Sequence, residues 1–188
     1  RKKTIVIFMS DNGHSEETGN RISVDNHKSG YPKGHFYGAS GGGSTGKWIG
    51  RKGTFLEGGV RVPAIISFPA KLPKGTVRGQ VITAMDWFPT VLELCGIQQP
   101  ADAPKLDGHS VLPLIENTDA PSKHKILYFA WGRGWAVREG DWKIINGKSL
   151  HKLSGDKPEV KNYLNEKPDI SARLKALYSS WSKEVFPN

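Results

Sequence analysis

The chain has 188 residues, a formal net charge of +9 and a single cysteine, Cys95. This length fits one domain, with or without a small appendage, and one cysteine excludes an intrachain disulfide. No apolar run approaches the ~20 residues that a membrane-spanning helix needs. The positive charge favours anionic partners such as sulfate, phosphate, acidic glycans or nucleic acid, although a solvated basic surface has the same composition.

The N-terminal segment predicts a buried strand that ends in oxygen-bearing side chains. Thr4–Met9 is a short continuous apolar run, and Asp11, Asn12 and Gly13 follow it closely. Carboxylate and amide oxygens are the donors that Ca²⁺ and Mg²⁺ prefer. Asp-Asn-Gly is also a strong turn former, so the local sequence leaves a metal site and a simple turn as alternatives.

A polar, glycine-rich connection extends from Ser10 to Gly53. We expect no regular element in its segment Tyr37–Trp48, because glycine is too frequent there. Loops of this length are usually functional. Lys52 lies near the end of the connection, between an arginine and a glycine. A lysine in this place is either a point charge for an oxyanion or an ordinary surface residue.

The central part of the chain predicts short strands and helices. The expected elements are a strand at Ala64–Phe68, a short strand or strand end at Val81–Ala84, a helix at Asp86–Leu94 before Gly96, and a short helix at Ser110–Ile115. Cys95 continues the apolar pattern of the longer helix. We therefore expect its thiol to be buried.

The C-terminal part predicts an antiparallel meander followed by a helix. The expected strands are Ile126–Trp131, Trp135–Arg138, Trp142–Ile145 and Ser149–Leu153. Glycine-containing turns separate them, including Asn146-Gly147. The apolar stripe from Pro168 to about Val185 predicts an amphipathic helix that packs against the meander. We expect one portion over residues 1–120 and a C-terminal subdomain over 121–188.

Six segments in order resemble the type I, formylglycine-dependent sulfatases of the alkaline-phosphatase-like superfamily. They are IVIFMSDNGH, GKWIGRKGTFLEGGVRVPAIISFPAKLP, TAMDWFPTVLELCGI, LDGHSVLPLI, WAVREGDWKII and LHKLSGDKPEVKNYL. They are distributed in order from residue 5 to residue 164, so the resemblance extends over nearly the whole chain. The resemblance implies an α/β fold: the C-terminal part of an alkaline-phosphatase-like sulfatase, with a small antiparallel sheet and a C-terminal helix.

The resemblance also implies roles for individual residues. Asp11 and Asn12 correspond to ligands of a Ca²⁺ ion, with Mg²⁺ as the alternative metal, and the other ligands come from outside this chain. Lys52 corresponds to the lysine that contacts the sulfate group. Lys47 is a competing candidate whose context matches less well. His14 is expected to lie within reach of the same loop and is a second candidate catalytic residue, facing the sulfate or the substrate.

Two further features leave a functional and a structural interpretation open. Glu57 and Arg61 are four residues apart, and we expect them to form a structural ion pair. The candidates for contact with substrate from the C-terminal subdomain are Trp131, Arg133, Trp135 and Arg138. The alternative for this aromatic segment is a core beneath the meander.

The nucleophile of the family is expected outside this chain. It arises from a Cys or Ser in a Cys/Ser-x-Pro-x-Arg motif that is oxidised to formylglycine. Cys95 is followed by Gly-Ile-Gln-Gln, and the segment SFPAK at residues 67–71 ends in lysine. We therefore expect a fragment that is inactive alone and whose partners are a sulfate ester and the N-terminal part of the same protein.

The resemblance predicts a sulfuric ester hydrolase that acts on sulfated carbohydrate or aryl sulfate esters and is periplasmic or secreted. A phosphodiester or phosphonate monoester hydrolase of the same superfamily is one alternative. A non-enzymatic basic module that binds an anionic polymer is another. We expect no nucleic-acid partner, because the aromatic residues are not interleaved with the basic ones on one platform. We also expect no membrane span, because no apolar run is long enough.

Overall fold

The computed structural model describes residues 2–14, 22–25, 35–38, 45–155 and 157–187, with the backbone alone for 22–25 and 35–38. The strands are β1 (Val6–Met9), β2 (Ile22–Asp25), β3 (His35–Gly38), β4 (Ala64–Ser67), β5 (Ile126–Trp131), β6 (Gly134–Glu139), β7 (Trp142–Ile145) and β8 (Ser149–Lys152). The helices are α1 (Glu57–Val60), α2 (Trp87–Cys95), α3 (Leu112–Glu116) and α4 (Pro168–Val185), with a 3₁₀ turn at Ala84–Asp86 before α2.

The strands form three sheets, and the α/β class with a small antiparallel sheet and a C-terminal helix is confirmed. Strand β1 pairs with β4, and β2 pairs antiparallel with β3. The four C-terminal strands form a sheet in the order β5-β6-β7-β8. The β2–β3 pair lies inside the connection in which we expected no regular element between Tyr37 and Trp48. That expectation was wrong at its start, because Tyr37 and Gly38 belong to β3.

The chain divides into two compact units. One contains the segment up to Phe8 and Ile65–Ile126, and the other contains the segment from Met9 to Ala64 and the chain from Leu127 onward. In the described part of the chain, no helix is both long and apolar enough to cross a membrane.

Asp86 organises the first unit. Its buried carboxylate accepts hydrogen bonds from the backbone N–H groups of Thr83 (2.6 Å) and His109 (2.8 Å), and the His124 ring nitrogen Nε2 lies 2.8 Å from it. This capping explains the 3₁₀ turn at Ala84–Asp86 and why the strand expected at Val81–Ala84 is absent. Burial of Cys95 was also a wrong expectation, since it ends α2 exposed.

The second unit has the sheet β5–β8 covered by α4. The core residues Ala136, Val137, Ile144, Leu150 and Leu174 are all fully buried. Two aromatic pairs reinforce the helix–sheet contact: Tyr178 stacks on Trp135 with centroids 4.0 Å apart, and Trp181 stacks on Tyr128 at 4.9 Å. The predicted meander and terminal helix are thus confirmed. Asn146 and Gly147 between β7 and β8 both have positive φ, which these residue types tolerate.

Candidate functional site

Close backbone contacts at Gly13, Gly58 and Gly59, here called the glycine crossing, hold the Asp11–Asn12 turn against α1 and the loop before it. That loop, residues 49–56, contains Lys52 and is here called the Lys52 loop. The Gly13 N–H donates to the Gly59 carbonyl at 2.9 Å, and the Gly58 N–H donates to the Ile49 carbonyl at 2.8 Å. A Cβ atom on Gly13 would collide with the backbone of Gly58 and Gly59. The two segments therefore approach at backbone distance, which only glycine permits here.

Asp11 and Asn12 lie just beyond the end of β1, as the sequence predicted. Asp11 is exposed and Asn12 is half-buried. The Asn12 amide nitrogen donates to the Gly13 carbonyl at 2.7 Å, and the Ser10 hydroxyl donates to the Asn12 carbonyl at 2.8 Å. The turn and the metal interpretation are thus compatible, because these hydrogen bonds use neither the Asp11 carboxylate nor the Asn12 side-chain oxygen.

The donor chemistry of this turn fits a hard cation, but two side chains form only part of a coordination shell. Within the described residues there is no group of three or more His, Cys, Asp or Glu side chains able to hold a metal ion. Further ligands would have to complete any site at Asp11 and Asn12.

Lys52 lies in a tight turn next to His14. Its backbone N–H donates to the His14 carbonyl at 2.9 Å, and the Thr54 N–H donates to the Arg51 carbonyl at 3.0 Å. Gly53 has φ of +84°, a conformation that side chains rarely adopt, so the glycine after Lys52 is required by the turn. The Lys52 side chain is exposed and available to a ligand.

The His14 ring provides a polar atom that lacks a partner. His14 is half-buried, and its Nδ1 is buried with no hydrogen-bond partner within the described part of the chain. A buried polar atom of this kind is uncommon and marks a position where a ligand or another chain segment can supply the hydrogen bond.

Lys47 is in a different environment from Lys52. Its ammonium lies 5.0 Å from the centroid of the Trp48 ring, and the guanidinium carbon of Arg61 lies 4.3 Å from the same centroid. Both cations therefore have cation–π contacts with the indole. Arg61 also approaches Glu57 at 3.6 Å, which is the ion pair that their spacing predicted.

Arg133 lies on an open, mostly apolar groove of about 820 Å³ within the second unit. The lining includes the end of the Lys52 loop, Gly53–Leu56, and the turn between β5 and β6, which carries Arg133. Trp131, the last residue of β5, is 72% exposed, so it does not belong to an aromatic core beneath the sheet. Trp135 does pack there, on Tyr178.

Sequence reasoning missed a buried charge cluster behind the Lys52 loop. The Lys143 ammonium is completely buried and lies 2.6 Å from a Glu57 oxygen and 2.8 Å from a Glu159 oxygen. Arg138 approaches Glu57 at 3.3 Å. Lysine is almost never fully buried unless it is paired, and Lys143 interrupts an apolar strand. That was the available signal, but the partners lie far away in the sequence.

The family profile described as "N-sulphoglucosamine sulphohydrolase, C-terminal" matches residues 47–177. Among curated proteins, the steryl-sulfatase of Mus musculus is 37% identical over 154 residues, covering 77% of this chain and 21% of the relative. The N-acetylgalactosamine-6-sulfatase of Canis lupus familiaris is 34% identical over 145 residues, covering 76% and 23%. The chain spans between about a fifth and about a third of the length of the curated relatives it matches.

Two solved structures share the fold. One, from work on glycosaminoglycan metabolism by Bacteroides thetaiotaomicron, has a TM-score of 0.70 at 24% identity and covers 95% of this chain and 38% of that one. The other, solved with its substrate D-glucosamine-2-N,6-O-disulfate, has a TM-score of 0.61 at 21% identity and covers 95% and 34%. The chain belongs to the sulfatase family and corresponds to the C-terminal part of its members.

Proposed function

We propose that this chain is the C-terminal part of a sulfuric ester hydrolase, with Lys52 in contact with the sulfate group. One observation carries the proposal. The backbone hydrogen bonds from Lys52 to His14 and from Gly13 to Gly59 hold the Asp11–Asn12 turn beside the Lys52 loop. Two oxygen donors for a cation and an exposed ammonium for an anion are thus built on one rigid crossing.

The metal is Ca²⁺ in this proposal, with Mg²⁺ as the alternative. Asp11 and Asn12 would hold it, together with ligands from the N-terminal part of the same protein. When bound, the cation neutralises charge on the sulfate group and activates the nucleophile. That nucleophile is the formylglycine of the family, which also comes from outside this chain. We accordingly expect the isolated 188 residues to be inactive.

The residues of this chain bind and orient the ester. The Lys52 ammonium donates to a sulfate oxygen and stabilises the negative charge that grows there in the transition state. His14 supplies its unpartnered Nδ1 as a hydrogen-bonding atom at the same crossing. Arg133, which lines the same groove as Gly53–Leu56, contacts the part of the substrate that extends from the ester.

The substrate class is a sulfated carbohydrate or an aryl sulfate. Relatives named N-acetylgalactosamine-6-sulfatase and arylsulfatase D, and the structural neighbour solved with a sulfated glucosamine, support this range. We also propose an exported protein, periplasmic or secreted. A single cysteine and the absence of an Asn-x-Ser/Thr sequon from the sequence fit bacterial export. The division into residues 1–120 and 121–188 stays a prediction.

The decisive experiment compares Lys52→Ala with Lys47→Ala in the complete protein. Loss of one contact to the developing charge costs about 2.7–4 kcal/mol, or roughly 10²–10³ in kcat. Lys52→Ala should show that loss on an aryl sulfate while its thermal unfolding is unchanged. Lys47→Ala should retain most of the activity, because its ammonium lies over Trp48.

Equal turnover by wild type and Lys52→Ala would refute the role of Lys52. Assays with matched aryl phosphate and phosphonate esters distinguish a sulfatase from a phosphodiester or phosphonate hydrolase of the same superfamily. A preference of at least about tenfold for the phosphorus ester would overturn the sulfatase assignment.

A further inference from the structure

Lys143 occupies a buried site in which three residues contact its ammonium. The ammonium donates hydrogen bonds to the Phe55 carbonyl and to a Glu159 oxygen, both at 2.8 Å, and forms an ion pair with a Glu57 oxygen at 2.6 Å. That Glu57 oxygen, Oε1, has no hydrogen-bond partner among the described residues, so its contact with Lys143 is purely electrostatic. Two of the three contacts, at Phe55 and Glu57, belong to the segment that directly follows the Lys52 turn.

Glu159 completes the cluster from a strained backbone position. It is 2% exposed and has φ of +63°, which is uncommon for a residue other than glycine. Its second carboxylate oxygen accepts the backbone N–H of Glu57 at 2.7 Å. Conformations of this kind persist when surrounding contacts enforce them, and they are concentrated near functional sites.

The cluster is close to electrically neutral. The carboxylates of Glu57 and Glu159 face the buried cation Lys143, and Glu57 also faces the half-buried cation Arg138. A buried ion cluster is weak evidence for stability, since apolar residues of similar size often stabilise a fold equally well. Unlike apolar residues, buried charges require one particular geometry, because each charge needs its partners at hydrogen-bond distance.

Hydrogen bonds within the loop connect Phe55, which contacts Lys143, to Lys52. Phe55 follows the turn that is closed between Arg51 and Thr54, where the Thr54 hydroxyl donates to the Arg51 carbonyl at 2.7 Å. Inside the turn, the Lys52 N–H is bound to His14. Anchoring Phe55 and Glu57 therefore fixes the C-terminal end of the loop, while His14 fixes its middle.

We propose that Lys143 and Glu159 are positioning residues that hold the Lys52 loop in the conformation in which its ammonium meets the sulfate group. The catalytic consequence rests on the proposed function of Lys52. The conformational consequence rests only on the contacts of the cluster, so the two can fail separately.

The first test measures hydrogen exchange in the complete protein with Lys143→Met, which keeps the length of the side chain without its charge. We expect exchange at the Lys52 and Thr54 amides to quicken by at least about tenfold, while amides of β6 and α4 keep their protection. Lys161→Met is the matched control, because the Lys161 ammonium is exposed, where it pairs with Glu166 and lies 4.6 Å from the centroid of the Tyr163 ring. Unchanged loop exchange in Lys143→Met would overturn the proposal.

A second variant covers the case in which Lys143→Met does not fold. Lys143→Met combined with Glu159→Gln removes one charge of each sign and restores the balance. We expect this double variant to fold and still to show the faster loop exchange. Uniformly faster exchange across the loop, β6 and α4 would show a merely structural role and would refute positioning.

Kinetics then link the cluster to Lys52. In the folded double variant, kcat on an aryl sulfate should fall by at least about tenfold, and adding Lys52→Ala should lower it far less than in the wild type, since neighbours that act as a unit are not additive. Fully additive losses would refute the link. If Lys52→Ala alone is active, the proposed function fails, but the exchange experiment still decides the conformational claim.

Discussion

Gly13→Ala tests whether the glycine crossing holds the site together. A Cβ atom at residue 13 would lie 2.8 Å from the Gly58 carbonyl carbon and 2.9 Å from the Gly59 Cα, whereas ordinary contact begins at 3.4 Å. It would approach the Gly58 oxygen even more closely. All of these obstacles are backbone atoms, so no side-chain rotation can make room and the two segments must separate by at least 0.6 Å.

The separation has a calculable effect on stability. Overpacking costs about 1–3 kcal/mol, and loss of the hydrogen bond from Gly13 to Gly59 adds about 0.5–1.5 kcal/mol. We therefore expect the free energy of unfolding to fall by about 2–4 kcal/mol. With a urea m-value of about 2 kcal/mol/M, the midpoint falls by about 1–2 M.

The assay is urea unfolding followed by tryptophan fluorescence, with Gly79→Ala as the matched control. A Cβ atom at residue 79 would meet no atom of the described residues within 4 Å, and the φ of Gly79 is not positive. Alanine there should therefore leave the midpoint unchanged or raise it slightly. A Gly13→Ala variant within about 0.5 kcal/mol of wild type would show that the crossing yields easily. The Asp11–Asn12 turn and the Lys52 loop would then not be held rigidly together.

Three further predictions concern the two units. Leu174→Ala, at a fully buried position of α4, should lower the free energy of unfolding by about 2–5 kcal/mol in the same urea assay. Asp86→Ala leaves two backbone N–H groups and His124 without their acceptor and should cost about 3 kcal/mol or more; a loss below about 1 kcal/mol would contradict this. Burial raises the pKa of Tyr128, with the charges of Glu139 and Glu184 adding to the effect. The folded state therefore favours the neutral phenol of Tyr128. The stabilisation that results is complete below about pH 10 and is lost as the pH rises through the raised pKa of Tyr128. Tyr128→Phe should flatten the fall in melting temperature above pH 10, and an unchanged slope would refute the assignment.

Local patterns were enough where an element depends on its own residues. Ile126–Trp131, Trp142–Ile145 and the helix from Pro168 to Val185 have the predicted bounds. Alternation, turn glycines and a helical apolar stripe each act over a few residues, so the sequence contains the whole signal. The position of Asp11 and Asn12 beyond a strand end was predictable for the same reason.

Predictions from local sequence patterns were wrong where a residue distant in the sequence determines the conformation. The residues 81–84 look like a strand, yet the Asp86 carboxylate caps a 3₁₀ turn at Ala84–Asp86 and is itself bound by the His109 N–H and the His124 ring. Cys95 continues an apolar pattern but lies on the exposed side of α2. Local propensity predicts neither outcome. The turn depends on the hydrogen bonds of Asp86, and the exposure of Cys95 depends on which face of α2 meets the rest of the unit.

By itself, the sequence determined the class of fold, the family resemblance and the candidates Asp11, Asn12, His14 and Lys52. Only the tertiary structure decided how they are held. Glu57 and Glu159 are 102 residues apart, and their link through Lys143 exists because folding brings three charges into one dry site. Out of water each charge requires a partner at hydrogen-bond distance, so the fold, not the local sequence, selects which residues stand behind the Lys52 loop.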